Sequence, residues 1–182
     1  LAVVHPGMPP TFEHFNLEVT PGEKIGVYTS TAAANTALAR VLAGLEAPTG
    51  GVLRYNGVDL RHLDLQAINR CRGFMIDSQL SLFEGTIEDN IVVGRSYIPY
   101  GDVRWALRFT ELENDVDAFP QGLKTHIRAP GKILAPTQIM RILLARAILA
   151  RPQILIFDGI IHTMQPAMRE TVLRRLCSKD EP

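Results

Sequence analysis

The sequence predicts an α/β domain, with a helical insertion in its core and a β-rich N-terminal edge. Three observations carry this expectation. An apolar strand pattern runs into an apolar helix at "KIGVYTSTAAANTALARVLAGL" (24–45). A helix followed by a strand, "ILLARAILARPQILIFD" (142–158), ends on an acidic residue. Between these units the periodicity is mostly helical.

Taken in order, residues 1–28 alternate like strands ("LAVV", "FNLEV", "KIGVY"), with turn signals at Pro6-Gly7 and Pro21-Gly22. Leu38–Leu45 is an apolar helix. "GGVLRYNGVDL" (50–60) reads as two short strands around Asn56-Gly57, a strong hairpin signal. A short helix is expected at 63–71 and an apolar strand at Gly73–Ile76. From Ile87 to about Glu113 the pattern is helical, interrupted near Tyr97–Gly101, with Val103, Ala106, Leu107 and Leu112 on one face. Prolines and glycines make 117–136 loop-like. Helices are expected at about 137–150 and 168–176, flanking "QILIFD" (153–158) as a buried parallel strand. Val27 should end one central strand and Asp158 its neighbour.

Composition excludes several classes. Nineteen basic residues balance nineteen acidic ones, so no global field favours nucleic acid or anionic lipid. Cys71 and Cys177 lie far apart outside any C-x-x-C pattern, which points to a reduced setting rather than a disulfide framework. The five histidines show no zinc spacing. The longest apolar stretch, 139–161, is broken by Arg141, Arg146, Arg151 and Asp158 and cannot span a bilayer as it stands. The chain opens on Leu1 with no signal-peptide pattern, and the expectation is a fragment cut from a longer protein.

The strand-to-helix turn at 29–36 has the spacing of G-x-x-x-x-G-K-[ST], the phosphate-cradling Walker A loop. Thr29, Ala34, Asn35 and Thr36 stand at its four defined positions, and only the last identity matches. On its own the stretch is a weak signal, since many strand-to-helix turns carry small residues. Five collinear stretches extend the likeness over almost the whole chain. "PGEKIGV" (21–27) resembles the strand that precedes Walker A in ATP-binding-cassette (ABC) exporters. "LFEGTIEDNI" (82–91) resembles their "LF-x-GTI-x-x-NI" run, and "FPQGLKT" (119–125) the "LP-x-G-x-x-T" stretch before the signature. "ILLARAIL" (142–149) is similar to the helix after the signature, and "RPQILIFD" (151–158) to the strand ending in the Walker B aspartate. The chain is therefore identified as a nucleotide-binding domain of the ABC exporter type.

The resemblance implies a P-loop NTPase (RecA-like) fold with an N-terminal antiparallel β subdomain and an inserted helical subdomain. Residues 1–79 and 150–182 would form the core and 80–149 the helical subdomain with the signature region. It implies ATP and Mg²⁺ as ligands, a transmembrane domain and a second nucleotide-binding domain as partners, and a place on the cytoplasmic face of a membrane.

The scaffold matches better than the chemistry. Asn35 stands where the family has the phosphate-contacting lysine, and losing a charge-assisted bond costs about 1.5–3 kcal/mol. Thr29 and Ala34 bring Cβ atoms where the loop has glycines, and Ala32–Ala34 favour an early helix start that closes the cradle. Thr36 retains the Mg²⁺-ligating hydroxyl, or equally caps the helix start. Ser78 aligns with the Q-loop glutamine, with Gln79 one place on. The signature "LSGGQ" aligns with "LAPTQ", where Ala135 lacks the hydroxyl, Pro136 lacks the amide hydrogen, Thr137 replaces glycine and Gln138 remains. Asp158 matches the Walker B aspartate, but Gly159 stands at the general-base position and cannot accept a proton. "HTMQ" (162–165) replaces the D-loop, and His5 aligns near the adenine-stacking aromatic or is simply a surface residue. The resemblance implies that the family's switch histidine would lie beyond Pro182.

The expected function is a degenerate domain that couples or scaffolds transmembrane transport, with impaired ATP binding and hydrolysis. Two alternatives stand beside it: a weakly active ATPase using Thr36 and Asp158 for Mg²⁺, and a nucleotide-independent assembly module of a secretion complex.

Overall fold

The computed structural model describes residues 1–4, 11–64, 72–76, 81–95, 97–127 and 134–178. The expected helix at 63–71 falls largely outside them, as do His5, Ser78 and Gln79. Helix α1 (Ala32–Leu42) comes first, followed by the hairpin β1 (Arg54–Tyr55) and β2 (Val58–Asp59). Asn56 and Gly57 join these strands with φ of 50° and 80°. Positive φ at both central residues is what a type I′ turn demands, so the Asn-Gly signal is borne out.

Strand β3 (Arg72–Ile76) pairs in parallel with β6 (Ile154–Asp158), from Arg72 opposite Ile154 to Ile76 opposite Asp158. Helix α1 packs on β6, and α5 (Pro136–Ile148) packs on β3. Between the two strands in sequence lie β4 (Gly85–Thr86), α2 (Ile87–Val92), α3 (Tyr100–Phe109), α4 (Glu113–Ala118) and β5 (His126–Ile127). Strands β4 and β5 pair antiparallel. After β6 come the short α6 (Ile160–Thr163) and α7 (Pro166–Cys177). Ile87, Ile91, Leu107, Leu112, Ile142, Leu144 and Ile160 are fully buried in one cluster joining the helices of the middle segment to the end of β6. The mixed helix-and-sheet architecture and the helical middle are as expected. Among the described residues no helix is long and apolar enough to cross a membrane.

"LFEGTIEDNI" has a local structural logic. Thr86 Oγ1 accepts from Asp89 N (3.0 Å), and Asp89 Oδ2 accepts from Thr86 N (2.9 Å) and Thr86 Oγ1 (2.7 Å), a reciprocal cap on α2. Gly85, at φ 152°, leaves room for that cap: a Cβ there would come within 3.3 Å of Asp89 Oδ2. Asn90, fully buried, donates to the carbonyls of Phe83 and Thr86 and accepts from Phe83 N. Arg146 on α5 reaches the same knot, donating to Asn90 O (2.7 Å) and Asn90 Oδ1 (3.1 Å), with its guanidinium over Phe83.

Three expectations need correction. Among the described residues, the alternation in 1–28 yields only isolated antiparallel bridges, Ala2 with Gly50 and Val3 with Phe12. Leu17, Val19, Ile25 and Val27 are exposed, and strand propensity without a packed neighbour does not build a strand. For the same reason Ile25–Val27 is not the neighbour of Ile154–Phe157: it joins no ladder, and the partner of β6 is β3. Ile154–Phe157 is half-buried rather than buried, because β6 has a ladder partner on one edge only among the described residues.

Candidate functional site

The site assembles where the turn before α1 meets the C-terminal end of β6. Thr31 is the N-cap of α1, and its side-chain oxygen accepts from Ala34 N at 3.2 Å. The Asn35 N–H is also taken, donating to the Thr31 carbonyl at 3.2 Å. The helix thus begins at Ala32, two residues ahead of the Ala34 position, as the alanine run predicts. Thr29 Oγ1 lies 2.8 Å from both the Thr31 carbonyl and Asn35 Oδ1, so the turn's own polar groups bond to one another. Ala34 is buried, and Asn35 and Thr36 are half-buried.

The loop and the strand meet through one contact. Thr36 Oγ1 donates to Asp158 Oδ2 at 2.7 Å. Asp158 is buried at the last position of β6, where the strand delivers its carboxylate to the start of α1. Gly159 follows with φ 71°, in the left-handed region, and caps α6. A residue with a Cβ is strained in that backbone, so glycine has a conformational role here besides lacking an acid. A hydroxyl beside a carboxylate is a pair of hard oxygen donors of the kind Mg²⁺ takes. Among the described residues no cluster of three or more His, Cys, Asp or Glu side chains forms a separate metal site.

The signature-position residues sit elsewhere, at the start of α5. Ala135 is the N-cap, without a side chain to cap with, and Pro136 occupies the first helical position, where its missing N–H goes unneeded. Gln138 supplies the cap instead: its Oε1 accepts from Ala135 N at 2.9 Å, and its Nε2 donates to Asp115 Oδ1 at 3.0 Å. Ala135 and Pro136 are exposed, and Thr137 is half-buried. In the D-loop stretch His162 and Gln165 are exposed and Met164 is buried.

The structure therefore brings Thr29, Asn35, Thr36 and Asp158 together and leaves Ala135–Gln138 bonded to the helical segment. Two features escaped the sequence reading. Thr31 was visible in principle, as a threonine immediately before an alanine-rich helix. The Gln138–Asp115 bond had no local signal, because its partners come from different helices.

A helix whose first turn meets the acidic end of a parallel strand, with a hydroxyl on the acid, is an arrangement consistent with a P-loop-type domain. The family model for "ABC transporter" matches residues 12–161, and the chain belongs to that family. It is 32% identical over 148 residues to the ATP-dependent lipid A-core flippase of Paraburkholderia xenovorans (strain LB400), a match covering 81% of this chain and 24% of that protein. It is 32% identical over 149 residues to the multidrug efflux ATP-binding/permease protein of Mycobacterium bovis (strain BCG / Pasteur 1173P2), covering 82% of this chain and 12% of that one. Among solved structures, a bacterial Atm1-family ABC exporter with ATP bound superposes with a TM-score of 0.69 at 26% identity, over 79% of this chain and 25% of that one. The chain spans a quarter or less of the length of each of these proteins.

Proposed function

We propose that this chain is the nucleotide-binding domain of an ABC exporter whose ATP binding and hydrolysis are impaired, and that it couples or scaffolds transport by a transmembrane domain. In this reading residues 1–79 and 150–182 act as the core, and 80–149 as the helical subdomain. The domain works on the cytoplasmic face of a membrane, beside a second nucleotide-binding domain. The names and lengths of the relatives support the transmembrane partner.

The observation that carries the impairment is the occupied turn. A phosphate cradle offers free backbone N–H groups at a helix start. Here Ala34 N is bonded to the Thr31 hydroxyl and Asn35 N to the Thr31 carbonyl, and the Asn35 carboxamide brings no positive charge. The Mg²⁺ half fits, through Thr36 and Asp158; the phosphate half does not. Gly159 offers no base, Ala135 offers no hydroxyl and Pro136 offers no backbone N–H to a ligand held by the opposite domain.

Calorimetry with Mg-ATP tests the reading. Binding should be far weaker than low micromolar, and Asn35→Lys alone should improve it only slightly, because Thr29, Ala34 and the Thr31 cap remain. Low-micromolar affinity in the unmodified chain would refute the impairment while leaving the family assignment intact.

A further inference from the structure

Glu111 forms the corner between α3 and α4 with a left-handed backbone, φ 57°. Arg175, on α7, grips that corner. Its Nη1 donates to the carbonyls of Arg108 (3.0 Å) and Phe109, its guanidinium lies over the Phe109 ring, and its Nη2 is 3.5 Å from Glu111 Oε1. The other carboxylate oxygen of Glu111 faces Arg141 of α5 at 3.8 Å, and Arg141 also donates to the Glu111 carbonyl at 3.2 Å. Arg141 Nη1 then donates to Asp115 Oδ2 at 2.8 Å, while Asp115 Oδ1 accepts from Gln138. Gln138 in turn holds the Ala135 N–H.

The result is an unbroken alternation of charge and hydrogen bond from α7 to Ala135, the second residue of the signature-position loop. Each carboxylate in it spends one oxygen on either neighbour, so displacing one member removes a partner from the next. We infer that this chain is a latch: with Arg175 seated on the Glu111 corner, Gln138 is held over Ala135 and the Ala135 N–H is occupied. When Arg175 withdraws, Arg141 and Asp115 lose their fixed geometry, and the amide becomes available. Arg175 is a positioning residue, since it acts on Ala135 only through four intermediates. The consequence for a partner domain rests on the reading of 134–138 as the partner-facing loop; the coupling itself does not.

Hydrogen exchange on the full-length protein, without nucleotide, tests the latch independently of any ATP affinity. Arg175→Ala should speed exchange at Ala135 and in the first turn of α5 by about two- to fivefold, the size expected of partly exposed ion pairs. The α1 peptide should not change. Glu111→Gln, which leaves the carbonyl contacts of Arg175 in place, should do the same if Arg175→Ala proves too unstable to measure. Combining Arg175→Ala with Glu111→Gln should speed exchange at Ala135 by less than the product of the two single effects, as coupling in a double-mutant cycle requires. Acceleration confined to 105–112 in these variants, or a combined variant whose effect at Ala135 equals the product of the two singles, would overturn the latch.

Discussion

Thr36 Oγ1 donates to Asp158 Oδ2 at 2.7 Å and so joins the first turn of α1 to the end of β6, 122 residues away in sequence. The carboxylate is buried, and its hydroxyl partner stabilises a charge that has little access to water. Thr36→Val should therefore destabilise the domain by about 1.5–3 kcal/mol, the range for bonds to charged groups. Asp158→Asn keeps an acceptor and loses the charge, so it should cost less. Urea unfolding of the two variants checks the order.

The cap on α1 gives a second prediction. Thr31→Ala removes the oxygen that holds Ala34 N and should cost about 1 kcal/mol, whereas Thr31→Ser should be close to neutral. Thermal unfolding of the two variants distinguishes a cap from a residue that is merely tolerated.

A third prediction concerns pH. Bonds from the Thr86 side chain, then the Thr86 backbone, hold the Asp89 carboxyl below its ordinary value. A carboxyl lowered on folding contributes stability above the unfolded value, about 3.9, and loses it as pH falls through the folded one. Stability should therefore decline below about pH 4, and Asp89→Asn should flatten that limb without removing the decline due to other carboxylates. Denaturant midpoints between pH 3 and 6 report it. An Asp89→Asn curve parallel to that of the unmodified protein would mean that the cap is not formed.

What was legible in the sequence follows from locality. Asn56-Gly57 encodes its turn in two residues, and both adopt the backbone such a turn needs. The helical middle was readable because Val103, Ala106 and Leu107 recur at helix spacing and bury together. Thr36 and Asp158 were paired only through the likeness to the ABC family, since periodicity says nothing about contacts across a fold. The alternation near Ile25–Val27 suggests a central strand that does not form, because a strand is defined by a neighbour that local sequence does not specify. Gln138 was counted as one surviving signature residue. Its bond to Asp115 depends on how α4 and α5 pack, and no local pattern shows that.

In the proposed reading the scaffold is kept while the chemistry is not. In that reading Gly159 stands at the position of the base, and its left-handed backbone would strain a glutamate placed there, so Gly159→Glu alone should restore no activity. The direct measurement is phosphate release by the full-length protein, compared with its Asp158→Ala variant under saturating Mg-ATP. The account predicts rates indistinguishable from each other and from background. Steady turnover that Asp158→Ala abolishes would contradict it, by demonstrating a catalytic route through the very carboxylate that Thr36 holds.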